Sequence, residues 1–237
     1  MRLASSIIIF LLLFQNFALA ETIFERKISF GGQLASGNTD VQSLHADFSL
    51  NRNRKFVDEI TAKGSFDREF SSGAETQLKA YSSLRLAHSL SNDYYRYYKL
   101  EAFSDRFQDI DMRLIPTVGL GYWFINEKDF KSMIEAAVGY QKEYLINKTA
   151  EEMFVLTLSH NLLFGVFSND LDVYTAINDL DNYRFINIAK MKIKLNTHYA
   201  FKLSLKDEFN NRPAAGVQKN DVTFITSLEY AFKETRK

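Results

Sequence analysis

The chain has no cysteine. Small exported domains with thin cores commonly lean on disulfides, so that device is excluded, and a closed ladder of backbone hydrogen bonds is the natural substitute. Proline occurs only twice in 237 residues, which leaves long stretches free of the residue that interrupts sheet ladders. Net charge is also absent, because 29 Lys and Arg balance 29 Asp and Glu. Neither a nucleic-acid partner nor attraction to an anionic surface is therefore indicated. Beyond the first twenty residues no long apolar run occurs, so hydropathy marks no membrane-spanning helix there. That absence does not bear on β-barrels, whose strands meet lipid only at every second residue.

What the chain does have begins with Arg2, then Ile7-Ile8-Ile9-Phe10-Leu11-Leu12-Leu13-Phe14, then Ala18-Leu19-Ala20 before Glu21. These are the charged, apolar and small-x-small regions of a secretory signal. The apolar run falls well short of the roughly 20 residues of a spanning helix. Residues 1–20 are expected to be a cleaved signal peptide, 21–232 a single barrel domain and 233–237 a charged C-terminal tail.

After Ala20 the hydropathy period is two. Ile60, Ala62, Gly64 and Phe66 alternate with Glu59, Thr61, Lys63, Ser65 and Asp67, and Leu78, Ala80, Leu84 and Leu86 alternate with Gln77, Lys79, Ser83 and Arg85. Ala189, Met191, Ile193 and Leu195 oppose Lys190, Lys192 and Lys194; Val222, Phe224, Leu228 and Tyr230 oppose Thr223, Ser227 and Glu229. Strict alternation is the signature of strands with one apolar face. The segments run to about 10–15 residues, longer than a soluble strand and enough for a tilted crossing, which needs about 9–11.

Turn-forming clusters fall at residues 37–40, 51–54, 71–73, 91–93, 108–111, 126–129, 146–149, 168–170, 178–181, 196–198 and 210–219. Eleven turns make twelve strands, an even number suited to a closed barrel with both termini on one side. The expected fold is all-β, a single antiparallel up-and-down transmembrane β-barrel of about twelve strands. Aromatics crowd beside the even-numbered turns: Tyr94, Tyr95, Tyr97 and Tyr98; Tyr122, Trp123 and Phe124; Phe164 and Phe167; Tyr199 and Phe201; Tyr230 and Phe232. They read as one aromatic girdle at a membrane interface.

The order of several short motifs is similar to that of a known family. Gly37-Asn38-Thr39-Asp40 after the opening strand, Asp105-Arg106-Phe107, Gly119-Leu120-Gly121-Tyr122, Asn182-Tyr183-Arg184 and a closing strand after Lys219-Asn220-Asp221 resemble the salt-induced outer-membrane protein family (YdiY-like), over about residues 24 to 232. The resemblance implies a barrel in the outer membrane of a Gram-negative bacterium, with no assigned activity and no catalytic residues to carry over. Outer-membrane barrels often end on an aromatic residue read by the insertion machinery; here Phe232 is followed by Lys233-Glu234-Thr235-Arg236-Lys237.

Other chemistry finds little support. Gly31-Gly32 and Gly119-x-Gly121 lie within strands and lack the following helix of a phosphate loop, so they mark bends or close packing. His45, His88, His160 and His198 fall in no metal-ligand spacing, and no metal or cofactor is expected. Ser159-His160-Asn161 holds the residue types of a hydrolytic set, but neighbours on a strand point to opposite faces and cannot form a relay; no enzymatic activity is expected.

The charged face of the strands carries the candidate lumen-lining residues: Glu59, Lys63, Lys79, Arg85, Lys99, Glu101, Arg113, Glu135, Lys190, Lys192 and Lys194, with Asp67 beside them. Mixed signs point to cross-strand ion pairs that fill the interior, or to a narrow path for small solutes. The expected partners are outer-membrane lipid and the insertion machinery, with the solute undefined. The competing reading is a soluble periplasmic β-protein binding an apolar ligand, which requires an apolar inward face.

Overall fold

A computed structural model describes residues 22–35, 41–54, 58–146, 150–213 and 217–236. The expected signal peptide, residues 1–20, and the turn at 37–40 lie outside the described residues. Twelve antiparallel strands close into one barrel: β1 (Thr22–Ala35), β2 (Val41–Arg54), β3 (Asp58–Ser71), β4 (Ala74–Ser89), β5 (Tyr94–Asp105), β6 (Ile110–Asn126), β7 (Phe130–Leu145), β8 (Glu151–Phe164), β9 (Phe167–Ala176), β10 (Asp179–Lys194), β11 (Tyr199–Asn210) and β12 (Asn220–Arg236). Each strand pairs with its sequence neighbours, and β1 pairs with β12 to close the ring, Ile28 opposite Tyr230 and Phe30 opposite Leu228. Closure leaves no strand edge unpaired, the condition a sheet must meet to cross a membrane.

The alternation reads out as two faces of opposite chemistry. Phe30, Phe48, Leu86, Leu100, Leu120, Val138, Phe154, Leu158, Phe201, Phe224 and Leu228 point outward and are exposed, Phe154 by 65% and Leu120 by 62%. Such side chains each gain about 1.5–3 kcal/mol on leaving water, and an apolar surface running round every strand far exceeds the few hundred Å2 a soluble monomer tolerates. Charged and polar groups are turned in: Lys79, Glu101, Asp105, Arg113, Glu135, Glu143, Lys202 and Glu229 are buried. That distribution runs against the soluble alternative, which needs an apolar interior.

The start of β1, the end of β12 and the even-numbered turns share one end of the barrel, here the termini end; the odd-numbered turns define the distal end. Three turns differ from the sequence reading. Residues 51–54, read as a turn, are the last four residues of β2 and pair in register with β3. The β8–β9 turn is formed by Gly165 and Val166, with Gly165 at φ +59, a value open to glycine without strain. Residues 168–170, read as the turn, belong to β9. Likewise β10 begins at Asp179, so three of the four residues at 178–181 are in the strand. The ladder also runs past Phe232: Lys233 pairs with Glu25 and Thr235 with Ile23, so residues 233–236 of the charged tail extend β12.

The aromatic residues divide between the faces. Tyr94, Tyr98, Phe124, Phe164, Phe167, Tyr199, Tyr230 and Phe232 form an outward belt at the termini end, with Tyr94 against Tyr122 at 4.8 Å and Tyr199 against Tyr230 at 5.3 Å between ring centroids. Tyr95 and Tyr97, expected in that belt, are inside instead. A second outward group lies at the distal end, where Tyr140 meets Phe154 at 5.5 Å and Tyr183 meets Phe209 at 5.7 Å. Two belts at the two ends of an apolar wall are the pattern of a membrane barrel.

Candidate functional site: the barrel interior

The interior is filled mainly by side chains that reach across it. At the termini end, Tyr95 and Tyr97 on β5 are 5% and 2% exposed and pack against Ala137, with Ala87, Trp123 and Met133 around them. Gly119 and Gly121 on β6 make this possible: a Cβ at Gly121 would fall within the Tyr95 ring, and one at Gly119 would press on Tyr97 and Ala137. The close packing expected at this glycine pair therefore has named partners. Arg85 on β4 lies under both tyrosines, 5.3 and 5.1 Å from their ring centroids. It reaches Glu135 on β7 at 2.5 Å and Glu59 at 3.6 Å. The Tyr95 hydroxyl donates to the same Glu135 at 2.7 Å. Lys192 pairs with Glu229 across β11, while Lys194 is exposed at the rim.

The middle of the barrel carries a second brace. Glu101 on β5 pairs with Lys99 at 2.8 Å and accepts from Tyr81 at 2.9 Å and from Tyr174 of β9 at 3.2 Å. Lys190 pairs with Asp170 at 2.6 Å. On the opposite wall Lys202 of β11 donates to Asp47 at 2.6 Å and Ser29 at 3.0 Å, and His45 stands between Asp67 at 2.5 Å and Asp47 at 3.0 Å. Lys63 on β3 has the inward parity of Glu59 and Asp67, makes no ion pair among the described residues, and keeps solvent-accessible surface. Low local dielectric makes such charges costly when isolated and strongly coupled when matched. Ser159 turns inward and donates to Asp172, while His160 lies on the outward face beside Ser132 at 3.4 Å, so the two form no relay.

The distal end is built differently. Lys79 is held by three carboxylates, Asp221 at 2.6 Å, Glu208 at 3.0 Å and Asp105 at 3.7 Å. Asp105 also caps a short turn, accepting from Phe107 N at 3.0 Å and Gln108 N at 3.2 Å. Arg113 pairs with Glu143. Arg184 on β10 donates from Nη1 to Gln141 Oε1 at 2.7 Å and lies 4.4 Å over the Tyr174 ring. Between these groups is a cavity of about 240 Å3, walled by Arg113, Gln141, Glu143, Glu151, Met153, Tyr174, Asn182, Arg184 and Arg212 among others. The register of β9 and β10 slips between Asp179 and Tyr183, a bulge that re-aims side chains at the rim of this cavity.

Arg184, Tyr174, Gln141 and Glu143 were not singled out among the lumen candidates. The signal was the parity of β10: Arg184 has the same parity as Lys190, Lys192 and Lys194. Ile186 and Ile188 occupy inward positions between them and break the polar alternation, and Ile186 packs on the inward cluster of Ile115, Val155 and Tyr174. No group of three or more His, Cys, Asp or Glu among the described residues is arranged to hold a metal ion.

Solved structures of similar fold include the NanC porin in a rhombohedral crystal form, 10% identical with a TM-score of 0.49 over 90% of this chain and 100% of that one. The KdgM porin in complex with disordered oligogalacturonate is 8% identical, TM-score 0.44, over 87% and 99%. The translocator domain of the autotransporter NalP from Neisseria meningitidis is 11% identical, TM-score 0.41, over 98% and 95%. At these identities the likeness is one of fold. No curated protein sequence matches the chain. Residues 28–232, nearly the whole barrel, match the family model described as Protein of unknown function, DUF481, and the chain belongs to that family.

Proposed function

We propose that the chain is exported by cleavage after Ala20 and sits in the bacterial outer membrane as a structural barrel with a constricted, cross-braced lumen. The observation that carries this reading is the opposition of faces: a continuous apolar wall outside, and inside it charges matched in pairs across the ring. Lipid is the medium that wall requires, and outer-membrane insertion machinery is the partner that would close the barrel there. Lumen residues such as Lys79, Arg85, Glu101 and Glu135 act as braces in a structural or envelope-stress role that involves no catalysis. The salt-induced outer-membrane assignment belongs to this proposal and is supported by the order of short motifs across the chain.

A second reading, passage of small solutes, is favoured by two observations: Lys63 is open to water inside the barrel, and the distal end holds a polar cavity. The experiment that tests the main reading is fractionation of the processed protein followed by gel migration with and without boiling. Recovery with detergent-resistant outer membranes and a heat-dependent mobility shift are expected; a stable monomer in plain buffer would overturn the reading. Single-channel recording in planar bilayers then separates the two roles. Small or absent conductance is expected of the braced lumen, and large steady steps would contradict it.

A further inference from the structure

We propose that the distal cavity is a binding site for a small monocarboxylate, anchored on Arg184. Arg85, Arg113 and Arg184 point into the barrel, and Arg212 at the rim of the cavity pairs with Asp179. Arg85 pairs with Glu135 and Glu59, and Arg113 pairs with Glu143. Arg184 has no carboxylate within ion-pair distance: its protein contacts are one bond to the neutral Gln141 amide at 2.7 Å and the face of Tyr174 at 4.4 Å. A guanidinium has five N–H donors in a fixed fork, so most of this fork has no protein acceptor, and it lines the cavity of about 240 Å3.

The surroundings hold that fork in place. The Tyr174 ring packs against the guanidinium, and the Tyr174 hydroxyl is itself tied to Glu101 at 3.2 Å. Gln141 is tied in turn to Glu143 at 3.3 Å. A cation fixed in a partly desolvated site without a counter-charge is costly, and an anion arriving from solution would remove that cost while the neighbouring Arg113–Glu143 and Lys99–Glu101 pairs stay intact. A planar carboxylate matches the fork in two parallel hydrogen bonds.

Size and charge narrow the ligand. The cavity is smaller than the roughly 300–1,000 Å3 of pockets for drug-sized molecules, so the ligand is small. Glu143 is already neutralised by Arg113, but Glu151 in the cavity wall has no cationic partner among the described residues and opposes a second negative group. Asn182 in the same wall offers an amide to a hydroxyl group. A hydroxylated monocarboxylate therefore fits best. The site depends on the barrel interior and not on which membrane holds the barrel, so failure of the outer-membrane reading would leave this result standing.

The test is isothermal titration calorimetry of the full mature barrel in detergent micelles, its fold checked by heat-modifiable migration, with gluconate as probe and glucose as its uncharged counterpart. Saturable gluconate binding that weakens with added salt is expected, with none for glucose. Arg184→Gln should weaken it by about tenfold or more, the loss of charged hydrogen bonds. Arg184→Lys, which keeps the charge and loses the fork, should fall between the two. Should the Gln variant not fold, the Lys variant decides. No saturable heat with the folded native protein, unchanged affinity in either variant, or tighter binding of inorganic phosphate than of gluconate would each overturn the proposal.

Discussion

The two ends of the lumen are lined by the same alternation and are built to opposite effect. At the termini end, bare Gly119 and Gly121 on β6 admit the rings of Tyr95 and Tyr97, and Arg85 beneath them meets Glu135 and Glu59. Rings fill the space, and the cation beneath them, Arg85, has two carboxylates. At the distal end, β9 and β10 slip register, a cavity remains, and Arg184 meets an amide and one ring. Closing the ring of strands fixes which residues face inward, while the size of opposing side chains decides whether the interior is solid or hollow. Where it is solid, charge matching holds the fold; where it is hollow, a charge can be left for something else.

That contrast can be broken most sharply at Glu135. Glu135→Ala strands the Arg85 guanidinium and the Tyr95 hydroxyl together, and removing one partner of a buried pair costs about 3–5 kcal/mol. Denaturant unfolding in lipid vesicles reads this directly, and a loss below about 1 kcal/mol, the range of a surface pair, would erase the difference between the ends. Gly121→Leu drives a side chain into the Tyr95 ring, and overpacking of this kind costs about 1–3 kcal/mol. The same unfolding series checks it, together with near-ultraviolet circular dichroism for displacement of the ring. At the distal rim the ion pair of Arg212 with Asp179, 2.5 Å long, is half-exposed. Arg212→Ala should therefore cost only about 0–1 kcal/mol, and a loss as large as that of Glu135→Ala would mean that the distal rim is held as tightly as the packed end. The smallest effect is expected at Lys63, which has no ion pair to lose. Lys63→Gln should move stability by no more than about 0.5 kcal/mol, while shifting the charge preference of any residual conductance toward cations in bilayer recordings.

Much of this architecture was legible because a period of two is a strong constraint. Once Ile60 and Phe66 face lipid, Glu59 and Lys63 must face inward, and long segments separated by eleven turns leave few folds besides a twelve-stranded barrel. The errors share a physical origin: in a barrel with a polar interior, lumen residues and turn residues have the same composition. Ser168-Asn169-Asp170 reads as a turn, yet Asp170 faces inward to pair with Lys190. The actual turn is carried by Gly165, whose neighbours Phe164, Val166 and Phe167 are apolar. The aromatic cluster at Tyr94 to Tyr98 misled in the same way, since only the matching Gly119 and Gly121 on the next strand show that Tyr95 and Tyr97 can fit inside. Arg184 was hidden by inward isoleucines. No parity rule anticipates which cation will lack a partner, because that depends on strands far apart in sequence.

The pairing of β1 with β12 joins residues some two hundred positions apart, Thr22 opposite Arg236. Until the last strand has been made, β1 offers one bare row of amides and carbonyls and the growing sheet offers another, both ready templates for foreign strands. The barrel therefore acquires its protection from aggregation in one late event instead of by increments. Loss of β12 through an early stop would give an open sheet with two sticky margins, and the unclosed chain must be shielded between synthesis and closure.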